Sequence, residues 1–556
     1  MNLSLLPASR AILWPLYALI VMIYVLKAGE ALQNHVVLAE TDTTSYLRVA
    51  QQLKLTGGVP GFLRDCLNGT FKETNQHPAY PLVLHPLAEP EPAFFVRAKV
   101  ISFFFGLVTL ISLLWIAKRV AGDPVALLAG ALLAMNASFA DLTSMVACEA
   151  MLALAFLWTV FFLTRESRTR AIDLATGAAL AAAYMTKGTG IFLLPVIVAH
   201  LAVFHRGQAV RSIALVVVGF AIVASPLLAR NTIVYGNPVY NVNTHVMWLD
   251  DWETVFSPAF QNSRGRTYSA ARYFREHTSG EVRERIATGL DRQTRLVRRM
   301  FTEPVLWRAG RAYLPLLALG FVAGVIVSWR RWGLPALLLA GGFFVFFTWY
   351  SVITTHARFH LPVVPVVFMT AAWGFWWAAR RIFARAGRES LAEPVFVVAA
   401  AVVTLLGVRA AYEEKGEWDW KHSYTLPSGY PALRAWMNES FTGDRIMIGP
   451  SHTYPIFYTM AAPPKDTGFP LVEDAREIEE LMIRRNIRYA VCDREIWERR
   501  EASLSQLFDW PAGGVLAVRE DAAPRWRVEM IDPHDPPAYA VLSFHPSGEG
   551  EAHDER

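Results

Sequence analysis

Apolar residues in this chain gather in long runs, not in the strict alternation of strands or the narrow stripes of water-exposed helices. The runs lie at about 11–26, 98–117, 123–139, 149–164, 171–186, 190–204, 212–229, 311–329, 334–353, 361–379 and 394–411. A hydrocarbon core of about 30 Å needs a helix of roughly 17 to 25 residues to cross it. Backbone polar groups inside lipid must bond within their own segment, so these runs predict helices. The expected fold is an α-helical polytopic membrane protein of about 11 spans, with external loops at 27–97 and 230–307. After about Tyr412 the pattern becomes that of a water-soluble fold. "DRIMIGPS" and "IRYAVCD" predict strands, and "EDAREIEELMIRRN" predicts a helix with Ala475, Ile478, Leu481 and Met482 on one face. "GGVLAVRE" and "AYAVLSF" are two further strand candidates. Residues 1–411 are therefore expected to form the membrane domain, and 412–556 a small α/β domain.

Composition agrees with the segmental pattern. Of 556 residues, 53% are hydrophobic and 18% charged, where soluble chains carry about a quarter charged. Mean hydropathy is +0.28. The first run is preceded by Arg10 but has no small-residue cleavage site, so it reads as an uncleaved span. Basic residues cluster at alternate ends of the runs: Arg10, Lys118 and Arg119, Arg165 to Arg170, Arg206 and Arg211, Arg330 and Arg331, and Arg380 to Arg388. Positive charge marks the cytoplasmic side, which places the N-terminus inside and the C-terminal domain outside. The arginine-rich segment "RERIATGLDRQTRLVRRM" breaks that alternation. It belongs to a connection longer than about 60 residues, for which the rule does not hold. Its arginines recur between Ile286, Leu290, Leu296 and Val297, which predicts an amphipathic helix on the membrane surface, drawn to anionic lipids. The net charge of +5 is explained by these anchors and calls for no nucleic acid. Cys66, Cys148 and Cys492 are too few for a disulfide framework. Cys66 and Cys492 share the outer side, where a bridge stays open beside the reading of two free thiols. No Gly-rich phosphate loop, HExxH or GxSxG occurs, so nucleotide-driven and hydrolytic chemistry lack their usual parts.

Sorting polar residues by side gathers candidate chemistry at one face. The first external loop carries Asp42, Tyr46, His77 and Tyr80. Glu149 opens span four after "DLTSMVAC", Lys187 lies in "YMTKGTGI", Arg230 ends span seven in "SPLLARNTIVYGNPVY", and Arg358 lies in "TTHARFHLPVVP". Ionisable groups at membrane depth are costly unless they are paired, face a cavity or act on a substrate. A lone lysine or arginine there is ordinarily a snorkelling anchor, and Asp141 reads as loop polarity. The recurrence of two carboxylates and three cations on one face points instead to a site. The fitting chemistry is glycosyl transfer from a lipid phosphate. Fixed cations stabilise the growing charge of a phosphate leaving group, and a carboxylate takes the acceptor's proton. "WLDDWE" adds Asp250 and Asp251 as candidate sugar contacts, with a solvated loop as the simpler reading of both.

The same stretches resemble the C-type glycosyltransferase superfamily, in particular bacterial relatives of protein O-mannosyltransferases and of the lipid A aminoarabinose transferase. "DTTSYLRVAQQL" is similar to the family's acidic first-loop motif, and "HPAYPLVL" to the stretch that closes that loop. "CEAMLALAFL", "PLLARNTIVYGNP" and "ARFHLPVVP" resemble the acidic start of span four, the RN…GNP segment and the R…P..P segment. The resemblance implies Asp42 and Glu149 as the catalytic acids, Asp42 as base or acceptor-orienting group. It implies Tyr46, His77, Lys187, Arg230 and Arg358 around the donor phosphate. It further implies inversion in one displacement, a polyprenyl-phosphate sugar donor, and an acceptor that is a lipid, a glycan or a protein at the outer face of a bacterial inner membrane. Many relatives have Asp-Glu where this chain has Asp42-Thr43. Some branches use a divalent metal, and the missing second acid argues against an obligatory one here; no other cofactor is expected. Two other classes remain: a lipid or glycan transporter, whose usual internal repeat is not evident, and a non-catalytic assembly protein.

Overall fold

The computed structural model describes residues 7–34, 41–91, 93–302, 310–413, 429–449 and 464–546. All eleven apolar runs are helical over most of their length. Among the described residues, six helices are long and apolar enough to cross a bilayer: Leu13–Asn34, Ala93–Ala121, Arg206–Tyr235, Trp329–Tyr350, Ala357–Arg385 and Glu389–Leu406. The chain is thus a polytopic helical membrane protein. The helices Asp123–Met135, Glu149–Leu163, Arg170–Thr186, Leu193–Phe204 and Leu314–Val327 are shorter. Their ends give way to irregular backbone, such as Thr143–Cys148 and the turn Gly188–Phe192. Irregular backbone at membrane depth persists where protein surrounds it, and the charged residues of interest sit at these ends.

Small residues let the helices close. Gly177 of Arg170–Thr186 lies against Ala209–Tyr235, where an added Cβ would stand 2.1 Å from the Val216 carbonyl oxygen. Gly324 lies equally close to the helix Val364–Arg385, 1.8 Å from Thr370 O on the same construction. Such sites permit the tight approach that drives helix association in lipid.

The surface helix predicted from the arginine-rich segment is Ser279–Thr302. Of its four apolar residues named above, Ile286 and Leu290 are exposed, whereas Leu296 and Val297 are partly buried, Val297 against the core. Its other face packs against protein and mixes buried polar side chains with Met300 and Phe301 of the membrane-domain core. Arg285 is buried and donates to the carbonyls of Leu249 (2.7 Å) and Met247 (3.1 Å), and Gln293 meets His360 Nε2 at 2.6 Å. Asp250 pairs with Arg285 (3.2 Å) and His277 (3.0 Å). Asp251 accepts from the backbone N–H of Thr254 (2.8 Å). Both aspartates of "WLDDWE" therefore brace this loop.

The C-terminal part holds a five-stranded sheet of order β2-β1-β3-β7-β6, where β1 is Arg445–Ile448, β2 Lys465–Thr467, β3 Tyr489–Asp493, β6 Trp526–Ile531 and β7 Tyr539–Phe544. Strand β1 runs parallel to β2 and β3, and β7 antiparallel to β3 and β6. Alternation sends Ile446, Ile448, Tyr489, Val491, Tyr539 and Val541 to one face, covered by the helix Tyr430–Glu439. Met447, Ala490, Cys492, Ala540 and Leu542 face the helix Ala475–Arg485 on the other. Burial on both faces explains why these strands read as continuous apolar runs. "GGVLAVRE" departs from expectation: only Ala517–Val518 (β5) is extended, paired with Phe508–Asp509 (β4) in a separate two-stranded ribbon. Cys66, Cys148 and Cys492 are all free and buried.

Candidate active site

Four elements from distant parts of the chain each present one charge. Asp42 lies in the first turn of the helix Thr41–Leu55, and Glu149 begins Glu149–Leu163, where the helix dipole favours a carboxylate. Lys187 caps the C-terminus of Arg170–Thr186 with extended backbone (φ −156°, ψ 143°), so its side chain leaves the helix axis. Arg358 lies in the tight helical turn Ala357–Val363 that opens the span Ala357–Arg385.

These side chains meet. Arg358 donates to Asp42 Oδ2, and Lys187 Nζ lies 2.5 Å from Glu149 Oε1. Arg358 Nε lies 3.9 Å from the same Glu149 oxygen, which joins the two pairs into one cluster. Phe359 lies under both cations, with its ring centre 5.0 Å from Lys187 Nζ and 5.6 Å from the Arg358 guanidinium carbon. Glu149 forms the floor at 2% side-chain exposure, while Lys187 and Asp42 are open at 23% and 28%. Oε2 of Glu149 and Nε of Arg358 are buried and make no hydrogen bond among the described residues. Polar atoms held in this way are ready to engage a substrate. Burial works to raise the Asp42 carboxyl, but Arg358, then Lys187 and His356, and the Gln76 amide hold it below the ordinary carboxylate value. It is a carboxylate at neutral pH.

The remaining predicted residues make their contacts outside this four-charge cluster. Tyr46, one turn after Asp42, is buried, and its hydroxyl donates to Cys148 Sγ (2.9 Å) instead of facing the cations. His77 packs edge-on against Tyr184, and Asn241 Nδ2 donates to its Nε2 (2.8 Å). Burial pushes His77 down to about 4, so it is neutral. Arg230 donates to the backbone oxygen of Glu73 (2.5 Å) and lies over Phe71 and Tyr235. It fixes the loop before His77 and makes no contact with the four-charge cluster among the described residues. Gln76 and Phe359 were not anticipated. Both are direct neighbours of predicted residues, His77 and Arg358, and that adjacency is the signal sequence reading could have used. Thr43 Oγ1 donates to Val146 O (3.3 Å), a bond that ties the acidic helix to the segment before Glu149. An ionised acid at that position could not donate it. No three His, Cys, Asp or Glu side chains converge as metal donors among the described residues.

Residues 95–229 match the family model described as dolichyl-phosphate-mannose-protein mannosyltransferase. This stretch contains Glu149 and Lys187. Among curated proteins, none matches the chain by sequence. Among solved structures, ArnT from Cupriavidus metallidurans in the apo state superposes with a TM-score of 0.54 at 15% identity, covering 98% of this chain and 100% of that one. The same protein bound to undecaprenyl phosphate gives 0.51 over the same shares. The archaeal oligosaccharyltransferase AglB from Archaeoglobus fulgidus, in complex with an inhibitory peptide and a dolichol-phosphate, gives 0.53 at 13% identity, covering 92% of this chain and 74% of that one. The chain therefore shares the fold of these solved structures over nearly its whole length.

Proposed function

We propose that this protein transfers a sugar from a polyprenyl-phosphate-linked donor to an acceptor hydroxyl at the outer face of a bacterial inner membrane, inverting the anomeric centre. The observation that carries the reading is the convergence of two carboxylates and two cations from four distant elements on one cluster. Solved structures of this fold with undecaprenyl phosphate and dolichol-phosphate support the class of donor. Residues 1–411 form the membrane catalytic domain and 412–556 the external α/β domain. The N-terminus is cytoplasmic, as the arginine placement requires.

The donor phosphate carries one negative charge while it bridges lipid and sugar. As the bond from the anomeric carbon to the phosphate oxygen breaks, the departing polyprenyl phosphate gains a second. Arg358 and Lys187 are placed to stabilise that gain. Engagement of phosphate by Arg358 also releases Asp42 from its ion pair, which raises the basicity of the carboxylate. Asp42 then accepts the acceptor's hydroxyl proton as the new carbon–oxygen bond forms. Glu149 holds Lys187 in place from the floor. His77 and Arg230 fix the loop that closes the site, and Thr43 and Tyr46 anchor the helix that carries Asp42.

The test is Asp42→Asn. Removing a general base typically lowers turnover by about 10²–10⁴-fold. Binding of undecaprenyl phosphate to the purified variant should persist. Turnover is read by mass spectrometry of envelope glycans in a deletion strain carrying the variant. Wild-type glycans from Asp42→Asn would overturn the enzymatic reading, as a scaffold or transporter would tolerate that change.

A further inference from the structure

Among the described residues, the external domain meets the membrane part in two groups of contacts. One involves the loop before Ser279–Thr302: Arg500 and Arg499 pair with Glu253 (2.8 and 3.1 Å), and Leu471 N donates to Phe256 O (3.0 Å). The other lies beside the site. Strand β2 is the edge of the five-stranded sheet, and its Asp466 accepts from Arg48 Nη1 (3.3 Å). Arg48 stands on the same helix as Asp42, and its Nη2 donates to Glu73 Oε2 (3.3 Å). The other oxygen of Glu73 accepts the backbone N–H groups of Asn75 (2.8 Å) and Gln76 (3.1 Å). The Gln76 side-chain amide donates to Asp42 Oδ1 (3.3 Å). A continuous polar chain therefore runs from the edge of the external sheet to the candidate base.

We propose that the external domain is a positioning element for catalysis, with Asp466 holding the Arg48–Glu73 bridge and, through it, the Gln76 amide against Asp42. This rests on the reading of Asp42 as the base. Arg48 has two carboxylates to satisfy, and Asp466 fixes its guanidinium where it also meets Glu73. Glu73 in turn shapes the turn at Asn75 and Gln76 by accepting both N–H groups. Arg230 and Tyr235 hold the same loop from the other side, through the carbonyls of Glu73 (2.5 Å) and Lys72 (3.0 Å). With that side fixed, the Arg48–Asp466 contact is the part of the clamp that depends on domain docking. The groups facing Asp42 are Arg358 and His356 from the 356–358 turn, Lys187 and Glu149 from two helix ends, Tyr46 on its own helix, Cys148, Tyr350 and Gln76. Among the described residues, Gln76 is the one of these that the hydrogen-bond chain ties to the external domain. A hydrogen bond to the ionised carboxyl favours ionisation, so loosening Gln76 moves the acid limb of the rate profile to higher pH.

The experiment compares full-length wild type, Asp466→Asn and Asp466→Glu in inner-membrane vesicles supplied with total lipid extract, with product followed by mass spectrometry across pH. Asp466→Asn should lower turnover roughly tenfold, the size of one charge-assisted hydrogen bond expressed as a rate. It should shift the acid limb upward while undecaprenyl phosphate binding and melting temperature stay at wild type. Asp466→Glu should restore both rate and profile. Gln76→Ala should reproduce the shift, and adding Asp466→Asn to it should change nothing more. An unmoved acid limb in Asp466→Asn, or additive losses in the double variant, overturns the coupling and leaves Asp42 as base. Full turnover in Asp42→Asn is a separate outcome that removes the function itself.

Discussion

Lys187→Met tests whether the lysine serves the donor or only its carboxylate partner. The substitution keeps the length of the stem and removes the charge 2.5 Å from Glu149 Oε1. Glu149 is 2% exposed, and Arg358 Nε at 3.9 Å is the other cation within ion-pair reach among the described residues. Removing one member of a buried pair typically costs about 3–5 kcal/mol, because the other charge is left without compensation. Arg358 supplies part of that compensation, and Lys187 is itself partly open, which places this variant near about 3 kcal/mol. Turnover answers a different question. Losing one group aimed at charge developing in the transition state lowers kcat by about 10²–10³-fold. The double variant Lys187→Met/Glu149→Gln separates the two. With both charges gone, no buried ion is stranded, and the melting temperature in detergent should return toward wild type. Turnover should stay low, since nothing replaces the cation. Recovery of turnover in the double variant would show that Lys187 only neutralises Glu149, and wild-type turnover in Lys187→Met would remove it from the site.

Asp173→Ala should destabilise the bundle by about 3–5 kcal/mol: Arg168, 1% exposed, pairs with a fully buried Asp173 that also accepts from Ser212 (2.9 Å). Replacing both Arg168 and Asp173 with leucine should recover most of the melting temperature. Gly289→Ala would set a Cβ 1.9 Å from Thr348 O and force Ser279–Thr302 off its neighbour; a loss of about 1–3 kcal/mol in thermal unfolding is expected. Burial opposes protonation of His277, but the Tyr273 carbonyl and Asp250 raise it above 6.5. Its contribution is therefore full below pH 6.5 and lost as pH rises through the raised value. His277→Gln should flatten that part of the stability–pH curve, measured by thermal unfolding in detergent.

Much of the fold was legible because lipid imposes length and apolarity together, and no water-soluble element needs both. The same physics made Glu149, Lys187 and Arg358 visible: a charge at the end of an apolar run must be paired, solvated or used. What could not be read was the partnership. Asp42 joins Arg358 across 316 positions, and nothing local distinguishes that arginine from Arg230, which spends its donor on the Glu73 backbone. Tyr46 stands one helical turn after Asp42, yet its hydroxyl goes to Cys148, because helix rotation turns it toward the packed segment before Glu149. In the external domain, β1, β3 and β7 were legible as apolar runs since helices cover both of their faces. The edge strand β6 alternates Trp526, Val528 and Met530 with Arg527 and Glu529, a one-sided pattern that its neighbours in the sequence do not share. Strand β2 is shorter still, a Lys-Asp-Thr triplet with no apolar signal at all. Its position is set entirely by pairing with β1 and by what Asp466 meets beyond the sheet. An acidic residue on a sheet edge would ordinarily serve to keep other strands away. Here the edge faces Arg48, on the helix that carries Asp42, so the residue hardest to recognise from sequence is the one that ties the two parts of the chain together at the site.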